Sequence, residues 1–419
     1  MLSPQFIRDD PDAVRKAAAE KNVTLDVDAL LALDGEVRGL KTRIDELRRQ
    51  RNEISASFKT ADPAERPALG AKAKALGAEA GEVETALAQR SAELEALMLR
   101  VPNIPWDGAP VGPDESFNIV VRAEGEPRNF DFEPRDHVAL VEMNDWADLS
   151  RITQVAGSRT YALKGRLALL EQALMFWAQQ IIAADGFTLM TVPALAKPQA
   201  FVGTGHFPGH EEEAYEIPKD GLYLAGTGEI ALTGLHSGEI LDADRLPLLY
   251  AGYSPCFRRE AGSAGRDVRG LLRVHQFYKL EQYVICADDD EESARWHARL
   301  LGNAERLLQG LEIPYQMVET STGDMGLGKF RMNDIESWVP SLGKYRETHS
   351  CSTLHDWQAR RANLRWRDEE RKVRFVHTLN NTALASPRIL VPLLENHQEA
   401  DGRVRLPQAL RGLMGGEYL

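Results

Sequence analysis

The chain of 419 residues has only three cysteines, Cys256, Cys286 and Cys351, and their spacing fits neither a metal-binding cluster nor a disulfide framework. No run of 18 apolar residues occurs, and the segment after Met1 has no apolar signal core, so we expect no membrane-spanning segment. Internal repeats and low-complexity tracts are also missing. Together these absences favour a protein of a reducing, cytoplasmic compartment.

Positive charge is also in short supply, because 50 basic residues face 63 acidic ones and leave a net charge of −13. This balance argues against a protein that coats nucleic acid over its whole surface, although it allows a local basic patch. A hydrophobic content of 43% is ample for a large core. The length is about three times that of a typical domain, so we expect two or more units.

Two runs of apolar residues with alternating spacings of four and three dominate the first hundred positions. Heptad spacing on both sides of a short proline-containing turn, at Asp62-Pro63 and Pro67, predicts an antiparallel helical hairpin over about residues 30–101. Each helix has about 30 residues, which gives an arm of roughly 45 Å. A small helical cap precedes it, with a helix that starts at Asp10-Pro11-Asp12. The first run is Leu33, Val37, Leu40, Ile44, Leu47, Ile54 and Phe58, with Arg51 in the seam, and the second is Leu69, Ala73, Leu76, Ala80, Val83, Leu87, Leu94, Leu97 and Val101, with Arg90 in the seam.

The predicted arm carries its charge unevenly. From Arg38 to Lys59 there are seven basic and three acidic residues, whereas residues 69–101 have four basic and five acidic ones. Two interpretations of the first helix remain open. It is either an ordinary solvated face of a coiled coil or a probe for an RNA backbone.

A proline- and glycine-rich linker, which begins at Pro102-Asn103-Ile104-Pro105, marks a domain boundary. We therefore predict an N-terminal domain over residues 1–105 and a second domain over residues 106–419. In the second domain, the apolar periodicity of Leu163 to Ala184 predicts a helix that ends at Gly186. Phe187 to Val192 reads as a strand that Pro193 stops.

The segment from Tyr253 to Tyr283 is the richest in chemistry-bearing residues. Residues 256–260 read as a strand, residues 261–270 as a flexible polar loop and residues 271–285 as the returning strand. Alternation along a strand would place Arg258 and Glu260 on one face, and Phe277, Lys279 and Glu281 on one face of its partner. An arginine fork suits a phosphate and an aromatic ring can stack on a purine.

A second segment, Thr378 to Asn396, combines a strand, a run of small residues and an apolar helix. Arg388 lies near the start of that helix, where free backbone N–H groups and partial positive charge favour an anion. Considered without its context, Arg388 could equally form an ion pair with a neighbouring carboxylate.

These two segments resemble motifs 2 and 3 of the class II aminoacyl-tRNA synthetases, and the helix, strand and Pro193 before them resemble motif 1, the dimerisation element. The sequence most resembles the seryl-tRNA synthetases of the bacterial type, and with the helical hairpin the resemblance is nearly full length. It implies an α+β fold, with a class II synthetase-type antiparallel sheet flanked by helices and an N-terminal antiparallel coiled-coil arm. The stretches that carry it are Phe257-Arg-Arg-Glu-Ala-Gly-Ser-Ala-Gly-Arg266, Thr227-Gly-Glu229, Glu347-Thr-His-Ser-Cys-Ser352 and Asp356-Trp-Gln-Ala-Arg-Arg361.

Carried over by position, the resemblance implies a role for each candidate residue. Of the catalytic residues Arg258, Arg388 and Glu347, the first holds the α-phosphate of ATP and the serine carboxylate, and the second holds the γ-phosphate. Glu347 and Ser350 ligate Mg²⁺, which prefers oxygen ligands. Serine is enclosed by Thr227, Glu229, Arg258, Glu281 and Thr382, with Glu281 and Thr382 reading its hydroxyl. The ATP site also includes Arg259, Glu260 near the adenine amino group, Val274, Phe277 stacked on adenine, Thr348, His349 and Ser350.

Three departures from the commoner family pattern stand out. Asn381-Thr382-Ala383-Leu384 replaces a stretch rich in glycine and serine, although Thr382 keeps a hydroxyl. Thr348-His349 replaces a smaller pair, and we interpret His349 as a packed or surface histidine. Arg259 stands where a small residue is frequent. Zinc-dependent relatives exist, but these cysteines match no zinc set, so we predict no zinc.

The resemblance implies a serine–tRNA ligase that uses ATP and Mg²⁺, forms seryl-adenylate and transfers serine to tRNA(Ser), and to tRNA(Sec) where that tRNA exists. It also implies a homodimer whose arm binds the tRNA. Two other classes remain to be weighed. One is an amino-acid ligase that loads a carrier protein and lacks the arm, and the other is a non-catalytic coiled-coil protein that binds RNA or regulates.

Overall fold

A computed structural model describes residues 1–262 and 270–419 of the chain. They divide into two compact units, one formed by residues 1–19 and 23–102 and the other by residues 20–22 and 103–419. The first unit is built from helices, and all of the described strands belong to the second.

The first unit contains the predicted helical hairpin. Its helices are α1 (Pro4–Asp9), α2 (Pro11–Glu20), α3 (Val27–Thr60) and α4 (Arg66–Met98). Asp26 caps α3 by accepting a hydrogen bond from the backbone N–H of Ala29 at 2.9 Å, and a proline in its first turn suits the start of α4. The hairpin and the helix at Pro11 are confirmed, whereas α1 was not predicted from the sequence.

The seam between α3 and α4 is shorter than its heptad pattern. Val37, Ile44 and Leu47 are buried to 3% exposure or less, but Phe58 is 41% exposed. Arg51, predicted in the seam, also has an exposed side chain. The small residues that open α4, such as Gly70, offer little side-chain surface to cover a neighbour. The periodicity therefore predicted the helices correctly but overestimated the buried length.

The second unit has nine helices and sixteen strands among its described residues. The helices are α5 (His137–Met143), α6 (Thr153–Ala156), α7 (Gly165–Ala184), α8 (Pro198–Thr204), α9 (Glu229–Leu235), α10 (Asp290–Gly310), α11 (Trp357–Ala362), α12 (Leu390–Asn396) and α13 (Gln408–Met414). The strands are β1 (Ile119–Glu124), β2 (Ala147–Asp148), β3 (Ala162–Leu163), β4 (Thr188–Thr191), β5 (Leu195–Ala196), β6 (Tyr215–Ile217), β7 (Leu222–Leu224), β8 (Ile240–Asp242), β9 (Leu248–Phe257), β10 (Gln276–Cys286), β11 (Tyr315–Glu319), β12 (Arg331–Val339), β13 (Lys344–His355), β14 (Arg365–Arg367), β15 (Val373–Phe375) and β16 (His377–Ser386).

An eight-stranded sheet forms the centre of this unit, in the order β1-β11-β12-β13-β16-β10-β9-β4. Every neighbouring pair is antiparallel except β4 and β9, which run parallel. The main core lies where α7 and α10 pack on the sheet, and it includes Leu174, Leu307, Val284 and Leu384. The predicted α+β fold with a sheet flanked by helices is therefore confirmed.

Helix α7 and strand β4 lie where the sequence predicted a helix and a strand before Pro193. By length and apolar composition alone, α7 could cross a membrane. Its residues Leu167, Leu170 and Ile182 are, however, fully buried in the main core. The apolar character of α7 is thus that of a core helix.

The hairpin of β9 and β10 is shorter than the sequence predicted. β9 ends at Phe257 and not at residue 260, and β10 begins at Gln276 and not at residue 271. Beyond the ladder, the backbone N–H of Arg259 donates to the carbonyl of Glu213 at 2.9 Å, and that of His275 donates to Arg159 at 3.0 Å. Arg258 and His275 still pair with each other, the Arg258 N–H donating to the His275 carbonyl at 2.9 Å, and beyond them the outside partners replace the pairing between strands. Most of the predicted polar loop, residues 263–269, lies outside the described residues.

Glu260 shows why the alternation argument fails beyond Phe257. Its φ of +56° is in the left-handed region, which a β-strand does not use. Arg258 and Glu260 therefore do not belong to a strand, and strand alternation cannot place them on a common face. The corresponding argument for Phe277, Lys279 and Glu281 is sound, because all three belong to β10.

We expect Leu47→Ala to weaken the arm by roughly 2–5 kcal/mol, because this substitution leaves a cavity at a seam residue that is 1% exposed. Hydrogen exchange read by mass spectrometry should show faster exchange across residues 27–98. The matched variant Phe58→Ala removes an apolar side chain that is already exposed and should change little. Equal acceleration in both variants would show that the seam is not what holds the hairpin together.

Candidate active site

A cleft of about 550 Å³ opens beside the β9–β10 hairpin and the end of β16. It gathers residues from four separate stretches of the sequence, and these include most of the predicted ATP-binding set. The predicted residues that line it are Arg258, Glu260, Val274, Phe277, Glu347, Thr348, Thr382 and Arg388. Arg259, His349 and Ser350 do not line this cleft.

Arg258 and Phe277 face each other at the mouth of the hairpin. The guanidinium carbon of Arg258 lies 5.2 Å from the centre of the Phe277 ring, a cation–π contact. The Arg258 Nε donates to the carbonyl of Gly226 at 3.3 Å. These contacts aim a partly exposed guanidinium into the cleft next to an aromatic face, which is the pairing that a nucleotide phosphate and base require.

Glu260 is held by Arg273, which sequence analysis did not select. An Arg273 nitrogen lies 2.7 Å from Glu260 Oε2, and the Glu260 side chain is only 9% exposed. Arg273 also lines the cleft. The carboxylate is therefore anchored before any ligand arrives, and the cleft has a third arginine in addition to Arg258 and Arg388.

Arg388 lies one residue before Ile389, the N-cap of helix α12, so its position near a helix start is as predicted. Its Nε donates to the carbonyl of Leu272 at 3.1 Å and one terminal nitrogen donates to the carbonyl of Glu347 at 3.3 Å. Burial lowers the pKa of Arg388, but a guanidinium stays charged at neutral pH. The structure thus presents a second cation in the cleft, held between Leu272 and Glu347.

A buried polar pocket containing Thr227, Glu229 and Glu281 lies under the hairpin. The Thr227 hydroxyl donates to Glu281 Oε2 at 3.3 Å, and Lys279 forms an ion pair with the same carboxylate. Thr382 is the direct cross-strand partner of Glu281 in the β10–β16 ladder. The register therefore brings together the two residues that were predicted to read a hydroxyl.

Glu229 is fixed by two amide side chains that sequence analysis missed. Gln358 Nε2 and Asn380 Nδ2 donate to its Oε1 at 2.6 and 2.7 Å. Gln358 lies within the Asp356–Arg361 stretch that carried the family resemblance, and Asn380 lies two residues before Thr382, so both were adjacent to recognised signals.

The two buried carboxylates of this pocket differ in electrostatics. Burial raises the pKa of Glu281, against the opposing attraction of Lys279. Burial also acts upward on the pKa of Glu229, but Lys329 and the hydrogen bond from Gln358 hold that pKa below its ordinary value. The lowered pKa of Glu229 favours its ionised form, which suits a carboxylate that receives an ammonium group, whereas Glu281 is paired with Lys279.

The predicted metal ligands lie on β13, where the pairing with β12 shifts by one residue. Ile335 pairs with His349 and Glu336 with Glu347, so Thr348 is the extra residue. Residues three positions apart on a regular strand point to opposite faces. The extra residue reverses this alternation, so the side chains of residues 347 and 350 can point to the same face. Asp334, directly opposite Ser350, adds a buried carboxylate whose Oδ1 has no hydrogen-bond partner among the described residues. This set of carboxylate and hydroxyl oxygens fits Mg²⁺.

The burial of Asp334 and the charge of nearby Glu347 raise the pKa of Asp334 well above its ordinary value. Sequence analysis did not select Asp334, since it lies in a strand with no motif of its own.

His349 and Arg259 are placed away from the cleft. His349 is 1% exposed, lies 2.8 Å from the Thr348 hydroxyl through Nδ1, and has its pKa lowered to about 4 by burial. It is a packed histidine, which agrees with the interpretation of its sequence position, and it does not line the cleft where ATP contacts were predicted. The exposed Arg259 is anchored through its backbone to Glu213.

Comparisons with known families account for both units. Residues 1–105 match the seryl-tRNA synthetase N-terminal domain, and residues 214–397 match the tRNA synthetase class II core domain (G, H, P, S and T). The serine–tRNA ligase of Deinococcus radiodurans is 54% identical over 416 residues, which are 99% of this chain and 98% of the relative. That of Thermobifida fusca is 44% identical over 420 residues, which are 100% and 99% of the two chains.

Solved structures give the same result. Seryl-tRNA synthetase from Pyrococcus horikoshii, complexed with ATP, superposes with a TM-score of 0.93 at 38% identity and covers 100% of this chain and 99% of that one. The cytoplasmic serine–tRNA ligase of Naegleria fowleri, in complex with AMP, has a TM-score of 0.86 at 28% identity and covers 97% and 95%. The match of the N-terminal domain argues against a carrier-protein ligase without an arm. By motif, fold and full-length likeness, the chain belongs to the seryl-tRNA synthetase family.

Proposed function

We propose that this cleft activates L-serine with ATP and that the chain then transfers serine to tRNA(Ser). The observation that carries the proposal is the junction of two sites. A cleft lined by Arg258 and Arg388 adjoins a buried polar pocket with the carboxylate of Glu229 and the cross-strand pair Glu281 and Thr382.

In the first step, a carboxylate oxygen of serine attacks the α-phosphorus of ATP, the bond to the bridging oxygen breaks and pyrophosphate leaves. Both reactants are anions, so positioning and fixed cations supply most of the catalysis. Arg258 is suited to hold the α-phosphate and the serine carboxylate together. Arg388, which also lines the cleft, is suited to hold the γ-phosphate, and Phe277 offers its ring to adenine.

Glu347 and Ser350 would hold Mg²⁺, which supplies charge neutralisation on the phosphates. The chain itself keeps these ligands in place through the register of β12 and β13. Glu260 would approach the exocyclic amine of adenine while Arg273 anchors it from the other side. Val274 and Thr348 would complete the walls of the nucleotide site.

Serine recognition would rest on the buried pocket. Its ammonium would meet Glu229, which Gln358 and Asn380 orient, and its hydroxyl would meet Glu281 and Thr382. Alanine would leave those buried polar groups without a partner, and this is how a site can discriminate strongly for a hydroxyl. Thr227 would complete the enclosure by bonding to Glu281.

In the second step, a hydroxyl of the terminal ribose of tRNA would attack the carbonyl carbon of seryl-adenylate, and AMP would leave. We propose that residues 1–105 form the tRNA-binding domain, with the α3–α4 arm on the RNA, and that residues 106–419 form the catalytic domain. By family membership we extend the substrate to tRNA(Sec) where that tRNA exists.

We further propose a cytoplasmic homodimer that is assembled through the motif 1 elements. Leu169 and Phe176 on α7 and Leu189 on β4 are large apolar side chains that remain exposed in one chain. Large exposed apolar side chains on consecutive elements are typical of an interface. All three cysteines are free and buried, as suits a reducing compartment.

Serine specificity is tested by ATP–pyrophosphate exchange with serine, threonine, alanine and glycine. We expect serine to support the fastest exchange and alanine to be slower by about 10⁴-fold or more in kcat/KM, because the buried hydroxyl-reading groups would remain unpaired. A lack of exchange with serine would refute the proposed activation. Faster exchange with alanine than with serine would instead indicate a ligase for another small amino acid.

Arg388→Ala should reduce exchange by about 10²-fold or more while circular dichroism shows an intact fold, because a fixed donor to developing charge is lost. Arg388→Lys should also be impaired, since a point charge lacks the planar fork of arginine. Arg403→Ala, which removes an exposed arginine paired with Asp401 at 2.7 Å, is the control and should behave as wild type. Near-normal exchange in Arg388→Ala would remove this residue from the phosphate site.

Deletion of residues 35–100 should leave serine-dependent exchange in place and abolish transfer to tRNA. Exchange in the deleted chain itself serves as the control for folding of the catalytic unit. Transfer is measured with radiolabelled serine and tRNA(Ser). Persistent transfer at the wild-type rate would show that the arm does not bind the tRNA.

A further inference from the structure

Asp334 lies in a second cavity next to the nucleotide cleft. This cavity is open to solvent, measures about 1130 Å³ and shares Leu272, Arg273, Glu347 and Arg388 with the cleft, so the two adjoin along these residues. Its wall also carries the carboxylates of Asp324 and Glu336 and the cations Lys344 and Arg346. The triphosphate end of a nucleotide in the cleft would therefore reach the surroundings of Asp334.

Strand pairing places Asp334 beside both predicted cation ligands. In the β12–β13 ladder Asp334 is directly opposite Ser350, and Glu336 is directly opposite Glu347. Directly opposed residues have Cβ atoms about 4.5–5.5 Å apart. Asp334 is therefore close enough to share an ion with Ser350.

The carboxylate of Asp334 has one satisfied and one unsatisfied oxygen. Ser350 forms a side-chain hydrogen bond to it, yet Oδ1 is buried with no hydrogen-bond partner among the described residues. The side chain as a whole is only 7% exposed. A buried carboxylate oxygen without a partner is strongly unfavourable, and a bound cation is one of the few explanations for it.

Neighbouring carboxylates do not share this property. Glu336 Oε2 accepts a hydrogen bond from Gln316 at 2.6 Å, and Asp324 Oδ2 accepts one from Asn118 at 2.9 Å. The equally buried Glu319 is paired with Arg331 at 2.9 Å. Asp334 also has a partner in Ser350, but among these acids it alone has a buried oxygen, Oδ1, without a hydrogen bond in the described part of the chain.

We propose that Asp334 is a third protein ligand of the divalent cation that enters with ATP, through Oδ1, in addition to Glu347 and Ser350. The proposal rests on the proposed use of ATP. The Ser350 hydroxyl, by donating its proton to the other oxygen of Asp334, keeps its own lone pairs available for the cation. Such partners of metal ligands set their orientation.

The test is a titration with Mn²⁺, read by electron paramagnetic resonance, in the presence of an ATP analogue with a methylene group between the α- and β-phosphorus. Asp334→Asn should raise the Kd for Mn²⁺ about 10- to 100-fold. Glu336→Gln is the matched control, because it removes the same charge from the same cavity and the same strand but leaves Oδ1 in place. Glu336→Gln should change the Kd for Mn²⁺ less than about threefold, because Glu336 would act on the cation only through its electrostatic field and not as a ligand.

Equal effects of the two substitutions, or no effect of Asp334→Asn, would overturn the proposal, since the carboxylate would then act through charge alone or hold a proton. If Asp334→Asn fails to fold, wild-type crystals with Mn²⁺ and the analogue decide. The anomalous peak should lie roughly 2.0–2.4 Å from an Asp334 oxygen, and a peak bound only by Glu347, Ser350 and phosphate would overturn the assignment. If Mn²⁺ binds Asp334 but the protein shows no serine-dependent exchange, the proposed function would be refuted, whereas the assignment of Asp334 as a metal ligand would stand.

Discussion

The position of β10 between β9 and β16 is the constraint on which the active site depends. One antiparallel register places Phe277 opposite Cys256 and Lys279 opposite Ser254, and the other places Glu281 opposite Thr382. A slip of one residue would turn every one of these side chains to the opposite face. The buried core beneath, which includes Leu280 and Val284 of the same strand, makes such a slip very unfavourable because it would bring charged side chains inside.

This register also explains how charged groups can remain buried in the amino-acid pocket. Lys279 and Glu281 lie two positions apart on one strand, so both point to the same face and neutralise each other. Glu229 comes from the start of α9 and is held by amides from α11 and β16. Each partner belongs to a different element, so the pocket exists only after the sheet and both helices have assembled. A network completed in this way is rigid, and rigidity is what allows buried polar groups to discriminate between ligands.

Sequence analysis identified elements whose pattern lies within one continuous stretch of the chain. It missed residues whose role depends on a contact with a residue far away in the sequence. Heptad spacing gave α3 and α4, and apolar periodicity gave α7, because both patterns are written along a single helix. Arg273, Asp334 and Gln358 were not selected, because their importance follows from partners 13, 16 and 129 positions away, respectively Glu260, Ser350 and Glu229. Likewise, the ends of β9 and β10 are set by backbone bonds to Glu213 and Arg159, which no local pattern records.

The charge of the arm has a different meaning once its ion pairs are known. Arg43 pairs with Glu79, Arg48 with Glu84 at 3.1 Å and Arg90 with Glu36 at 3.2 Å, all across the hairpin and all exposed. Exposed pairs of this kind contribute only about 0–1 kcal/mol each to the free energy of unfolding. Exchanging the carboxylate for a phosphate would therefore cost little stability.

Lys41, Arg51 and Lys59 have no ion-pair partner within the described part of the chain, and they extend along α3 toward its end. The arm thus combines cations without an ion-pair partner with cations that are weakly paired across the two helices. The two interpretations of the first helix therefore do not exclude each other, because weak exposed pairs in a coiled coil leave its arginines available for the RNA contact proposed above.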